Sequence, residues 1–200
     1  MKHIAKPFEH LAGGLDGFSA RQISAHLKLY FHYVDKLNEV ERLLGSADRA
    51  TADYSFGAYS ELKRREAVPF NGAYLHDLYF SNLRPMPVAP PASFVAAAAS
   101  AFGSFDGYLR DLTAAAKSTA GWVVTTVSEI DGGLHNYVLS EHHVGYPVGQ
   151  RAVLALDCWE HAYMMDYGTD KVGYLEAFLK QVDWKEAGRR FDGGKSVRSD

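Results

Sequence analysis

An aspartate stands at the end of an apolar run, Ala152-Val-Leu-Ala-Leu156, and a histidine follows it four residues later. A run this short and apolar reads as a buried strand, with Asp157 at the strand's end and His161 one turn into a following helix. The two side chains then converge on one point. A buried carboxylate with no cation nearby is costly, and carboxylate with imidazole is a ligand pair for a first-row transition metal ion. An Asp N-cap followed by an ordinary core histidine fits the same spacing.

The rest of the chain alternates helical and strand patterns. Residues 1–17 hold Gly13, Gly14 and Gly17 and read as an irregular lead-in. Ser19 is placed to N-cap a helix starting at Ala20. From Ile23 apolar residues recur at Leu27, Tyr30, Phe31, Val34, Leu37 and Val40, which is helical spacing. His26 lies on this helix, where a lone histidine is more often a core or surface residue than a ligand. Residues 45–69 are polar, and the charged run 61–66 reads as a solvated helix face. Residues 70–83 read as a second long helix carrying His76 among aromatics. Residues 84–92 contain four prolines and cannot continue a helix.

The chain therefore divides into a helical hairpin domain over 1–84, a Pro-rich linker over 85–92 and an α/β domain over 93–200. In the second unit Ser93 is placed to cap an Ala-rich helix over 94–102, and 102–108 begins the next. Residues 121–128 form a β-branched strand, Asp131-Gly-Gly133 a hairpin turn, 137–140 the start of the partner strand, and 152–156 the third. The fold class is α+β: an N-terminal helical hairpin domain followed by an α/β domain with a small three-stranded antiparallel sheet. Residues 192–200 read as a polar tail.

The segment Asp157-Cys-Trp-Glu-His-Ala-Tyr163 resembles the C-terminal signature of the iron/manganese superoxide dismutases, D-x-W-E-H-A-Y. The likeness continues through Gly173-Tyr-Leu-Glu176 to Val182-Asp-Trp184. Upstream, His26-Leu-Lys-Leu-Tyr-Phe-His-Tyr33 resembles the family's first helix, the Asn71-Gly72 pair leading to His76 its second ligand segment, and Phe102-Gly-Ser-Phe105 its F-G-S-F segment. The resemblance implies one iron or manganese ion per subunit, iron preferred, held by His26, His76, Asp157 and His161. It implies conversion of two superoxide anions to dioxygen and hydrogen peroxide as the metal cycles between +3 and +2. It assigns Tyr33 as the gateway residue, with Tyr30 as its rival. His142, with His143 second, becomes the group facing the metal-bound solvent. Trp122 and Trp159 wall the pocket, Tyr79 packs nearby, and Cys158 points away. It also implies a homodimer, with Glu160 reaching the partner's ligand histidine and Tyr163 the partner's first helix.

The chain departs from the family's pattern in its first two ligand segments. Relatives commonly carry a second histidine four residues after the first ligand, where this chain has Tyr30, and the gateway tyrosine eight residues after it, whereas Tyr33 is seven away. One residue lost inside a helix turns every later side chain by about 100°, a change absorbed if relatives carry a π-bulge that this chain lacks. Gly72 stands where many iron enzymes place a glutamine. These departures motivate a second reading, a metal-binding paralogue without dismutase activity. A non-enzymatic oligomeric binding protein and a non-haem iron oxygenase, which needs one fewer protein ligand, are more distant, and the mixed N/O set also accepts zinc.

A formal net charge of −3 with scattered Lys and Arg gives no basic stripe for nucleic acid and no attraction to an anionic membrane. No apolar run approaches transmembrane length, and residues 1–8 lack the apolar centre of a secretion signal. Cys158 is the single cysteine, so no disulfide framework exists. The expectation is a cytoplasmic protein acting on superoxide, with no nucleic-acid or membrane partner.

Overall fold

Ser19 starts the first long helix: its hydroxyl accepts the Gln22 N–H at 3.0 Å, and α1 runs Ala20–Ser46 in a computed structural model that describes residues 2–193. The helical spacing buries Ile23, Leu27, Tyr30, Val34 and Leu37 on one face, with His26 among them. Helix α2 (Ala58–Arg65) buries no residue, in keeping with its charged run. Helix α3 (Ala67–Ser81) begins three residues before its expected start. Pro69 falls in its first turn, where the missing N–H has no intrahelical partner to lose. α3 packs on α1 and buries Leu75, His76, Leu78, Tyr79 and Phe80.

The Pro-rich stretch is tied down at its start. Arg84 N–H donates to the Gln181 carbonyl at 2.9 Å, and the Asn82 carbonyl accepts the Asp183 N–H at 2.7 Å. Helix α4 (Ala92–Phe102) is not capped by Ser93. Its N-cap is Pro91, in extended conformation and without a side-chain cap bond, so Ser93 falls inside the first turn, where its hydroxyl donates to Asp192 Oδ2 at 3.3 Å. α4 ends on Gly103 at φ +81°, a left-handed C-cap that favours glycine. Ser104 then caps α5 (Phe105–Lys117), accepting the Gly107 N–H at 2.8 Å.

Three antiparallel strands follow, β1 (Trp122–Ser128), β2 (Leu134–Leu139) and β3 (Gln150–Asp157), in the order β2-β1-β3. The α+β class and the three-stranded sheet are as expected. β2 and β3 begin three and two residues earlier than their apolar cores, since the ladder extends to Val127↔Leu134 on one side and Ser128↔Gln150 on the other. The register sets Trp122 opposite Asp157. Beyond β3 the chain does not enter an α-helix at His161. The Asp157 carboxylate accepts the Trp159 N–H at 2.9 Å, an Asx-type turn, and Glu160–Ala162 form a single 3-10 turn. Then come α6 (Met164–Tyr167), α7 (Lys171–Gln181) and α8 (Trp184–Phe191).

An aromatic cluster holds the second half together. Phe94 and Tyr108 are fully buried and meet edge-on with centroids 5.6 Å apart; Trp184 lies 6.0 Å from Phe94 and 6.1 Å from Tyr108. Such pairs contribute about 0.5–1.5 kcal/mol each beyond the area they bury. They fix α4, α5 and α8 together, and the Tyr108 hydroxyl bonds Thr125 of β1 at 2.9 Å. Of the expected polar tail, residues 194–200 lie outside the described residues.

Candidate metal centre

Asp157 is fully buried at the last position of β3. Its backbone carbonyl accepts the Tyr174 hydroxyl at 2.6 Å, and Oδ1 is taken by the Trp159 N–H. Oδ2 faces three imidazoles from three other segments: His26 Nε2 of α1 at 3.0 Å, His161 Nε2 of the 3-10 turn at 3.0 Å and His76 Nε2 of α3 at 3.6 Å. The four ligating atoms lie within 4.8 Å of one another.

The protonation states follow from the contacts. His76 Nδ1 donates to the Gly72 carbonyl at 2.6 Å, leaving Nε2 as the lone-pair nitrogen, buried and with no hydrogen-bond partner. Burial, with the neighbouring His26, holds the His76 imidazole well below its ordinary value, and burial lowers His26 despite the pull of Asp157. Burial opposes ionisation of Asp157, yet His161 and His26 beside it keep the carboxyl far below the usual carboxylate range. Burial likewise opposes charging of His161, and there the Asp157 carboxylate prevails and raises it. An unpartnered imidazole lone pair beside an ionised carboxylate, both in the interior, belongs to a cluster that could hold a metal ion. Three nitrogens and one oxygen without thiolate fit iron or manganese, and ligation would release the protons that His26 and His161 direct at Asp157.

Above this set lies a hydrogen-bonded chain. The Trp122 indole N–H donates to His142 Nδ1 at 2.8 Å, and His142 Nε2 lies 2.6 Å from the Tyr33 hydroxyl. Indole is a donor only, so Nδ1 of His142 is the acceptor. Burial lowers His142 and keeps the ring neutral, so its proton sits on Nε2 and is donated to Tyr33. The Tyr33 hydroxyl proton is thereby free to point elsewhere. Burial, with the charges of Asp157 and Glu141, raises the Tyr33 phenol and keeps it protonated.

The structure brings Tyr33, not Tyr30, to this chain. Seven residues is about 20° short of two helical turns, and α1 is α-helical throughout, so Tyr33 stands two turns above His26 on the same face. Its ring centroid is 5.3 Å from that of His76. Tyr30 is turned away: its hydroxyl accepts the Lys6 N–H at 3.0 Å and donates to Asp77 Oδ2 at 3.3 Å. His142 is buried, whereas His143 is only half-buried and makes neither of these bonds. Trp122 meets His76 edge-on at 5.0 Å, Trp159 is parallel to His161 at 6.3 Å, and Tyr79 lies 5.0 Å from His26. Cys158 is buried with Sγ against the Leu156 carbonyl. Glu160 is exposed, and Tyr163 stacks on Tyr174 at 5.0 Å.

Sequence reasoning missed three positions. Tyr174 supports the Asp157 carbonyl, although it appeared only as a landmark. Gln22 donates to the His161 carbonyl at 2.6 Å and accepts the Met165 N–H at 3.0 Å, clamping the turn of His161 to α1. Asn71 donates to the His142 carbonyl at 2.8 Å. Nothing in local periodicity marks these roles, though Gln22 is a fully buried amide one turn before a ligand.

Comparison with known proteins agrees with this geometry. The family model for the C-terminal domain of iron/manganese superoxide dismutases matches residues 90–190. The chain is 32% identical over 196 residues to a superoxide dismutase [Fe] of Aquifex pyrophilus, covering 95% of this chain and 92% of the relative. It is 34% identical over 199 residues to a superoxide dismutase [Fe] of Cupriavidus metallidurans, with 96% and 97% covered. A superoxide dismutase [Mn] of Halobacterium salinarum is 31% identical over 163 residues, with 80% and 79% covered. With the ligand cluster, the fold and these likenesses in agreement, the chain belongs to the iron/manganese superoxide dismutase family.

Proposed function

We propose that this protein is a superoxide dismutase whose iron or manganese ion is held by His26, His76, Asp157 and His161. The observation that carries the reading is the buried, unpartnered Nε2 of His76 facing the ionised Asp157 carboxylate. An iron or manganese ion, when bound, supplies the one-electron couple between +3 and +2 by which two superoxide anions become dioxygen and hydrogen peroxide. Three neutral imidazoles and one carboxylate leave such a centre net positive, which favours a small anion. Two protons must reach the reduced substrate, and Tyr33 and His142 are the groups we assign to hold and pass them. Trp122 orients His142 through its indole N–H and packs on His76, while Trp159 lies parallel to His161.

The division into a hairpin domain over 1–84 and an α/β domain over 93–200, joined by 85–92, belongs to the same proposal. So does a homodimer formed through Glu160 and Tyr163. Supporting it, Met164 and Met165 follow in the next turn and are 43% and 55% exposed, an apolar surface beside the exposed Glu160. An antioxidant role in the cytoplasm, without nucleic-acid or membrane partners, is in keeping with the net charge of −3. No helix among the described residues is long and apolar enough to cross a membrane.

The test is superoxide dismutation by protein reconstituted separately with iron and with manganese, beside an Asp157→Ala control. Fast turnover with one metal, abolished in the control, is expected. Tight metal binding with no turnover above free ion would favour the metal-binding paralogue, for which the shortened spacing from His26 to Tyr33 and the Gly72 position are the grounds.

A further inference from the structure

Asn71 stands outside the cluster of His26, His76, Asp157 and His161, yet its amide crosses from α3 to the loop after β2 and donates to the His142 carbonyl at 2.8 Å. That carbonyl belongs to the residue whose ring must meet two partners at once, Trp122 Nε1 at 2.8 Å and the Tyr33 hydroxyl at 2.6 Å. The backbone bonds of this loop between Ser140 and Val144 and between Val144 and Glu141 are local and join the turn only to itself. A ring bridging two fixed groups tolerates little movement, because a hydrogen bond weakens steeply once length or angle departs from its optimum. The neighbouring residue serves the other end. A Cβ added to Gly72 would lie 2.6–2.9 Å from three carbon atoms of the Tyr33 ring, so the bare backbone of Gly72 is what admits that ring. Consecutive residues of α3 thus set both halves of the pair.

We propose that Asn71 is a positioning residue of the proton path, holding the His142 backbone so that its imidazole stays in the Nε2–H form directed at Tyr33. The inference rests on the reading of Tyr33 and His142 as the proton-handling groups.

The tautomer is readable without metal or turnover. In metal-free protein labelled with 15N-histidine, two-bond imidazole correlations at pH 7.5 are expected to show His142 with one pyridine-like nitrogen at Nδ1 and the proton on Nε2. In Asn71→Leu, which keeps the bulk and removes the donor, the two nitrogen shifts move towards each other as the forms mix. Asn71→Asp, near-identical in shape and lacking the N–H, should do the same, which guards against a packing defect in the leucine variant. In the metal-loaded enzyme Asn71→Leu is expected to lower turnover about tenfold, within the range for outer hydrogen-bonding partners of a metal site, and to add no loss in a His142→Ala background. A single Nε2–H form retained in both Asn71 variants overturns the proposal, as does an equal loss with and without His142. Mixed tautomers in the variants of a protein that never dismutates would leave the positioning role standing and remove the proton-path reading beneath it.

Discussion

The phenol oxygen of Tyr33 lies 2.6 Å from His142 Nε2, across 109 residues of chain. The bond runs from histidine to tyrosine, because Trp122 occupies the other ring nitrogen. Removing the hydroxyl should therefore cost activity as well as the usual worth of a hydrogen bond: Tyr33→Phe is expected to lower turnover by about tenfold to a hundredfold and stability by about 1 kcal/mol. Tyr30→Phe should leave turnover unchanged and lower stability by about 1 kcal/mol, the usual worth of a lost hydrogen bond. Assaying both variants by superoxide turnover and urea unfolding tests the assignment; the reverse pattern would return the gateway role to Tyr30.

Gly72 is required by contact rather than by backbone conformation. Gly72→Ala places a methyl group against the Tyr33 ring, and overpacking of this kind costs about 1–3 kcal/mol. The ring is also pushed from His142, so turnover should fall further than the loss of folded protein explains. Full activity in the folded alanine variant would show that Tyr33 has room to spare.

Asp157 is the one anion among the four proposed ligands. Asp157→Asn keeps the shape and removes the charge, and metal content after gel filtration should fall to background. In the unsubstituted protein, free ion at a hundredfold excess over its Kd raises stability by about 2.7 kcal/mol. That rise should be absent in the asparagine variant; an equal rise in both would place the ion elsewhere.

Acidification should weaken the metal-free fold in two stages. His26, His76 and His142 have lowered values in the fold, while the unfolded chain protonates them near pH 6.5. Below about pH 6.5 the unfolded state binds more protons and stability falls with pH. His161 has the opposite sign: its raised value contributes stability below about pH 6.5, lost as pH rises through its folded value, and it offsets one of the three. Asp157, depressed in the fold, contributes stability above about pH 3.9 that is lost as pH falls towards its folded value. A lower urea midpoint at pH 5.5 than at 7.5, measured without metal, is the expected result.

What the sequence disclosed here depended on distance along the chain. Asp157 and His161 are four residues apart, and their convergence needed only a strand end and one turn. Ser19 sits just before apolar periodicity and caps as expected, whereas the cap at Ser104 was not foreseen. Ser93 did not, because Pro91 had already set the helix start. His161 was expected on an α-helix and lies on a 3-10 turn, since the Asp157 side chain takes the Trp159 N–H. The choice between Tyr30 and Tyr33 turned on what α1 packs against, which no local pattern states: Tyr30 finds Lys6 and Asp77 on one side, Tyr33 finds His142 on the other. Asn71 and Gln22 were illegible for the same reason, both serving backbone carbonyls more than 70 residues away.

His26 and Asp157 are separated by 131 positions, and the four side chains of the proposed ligand set come from two helices, a strand end and the turn beyond it. No continuous fragment of the polypeptide owns the centre. A chain emerging from the ribosome presents its first imidazole long before the carboxylate that pairs with it exists, and a half-folded molecule offers isolated donors that grip an ion weakly. On the proposed ligand set, tight occupancy requires all four segments to have come together, so a chain that has not closed lacks a complete site.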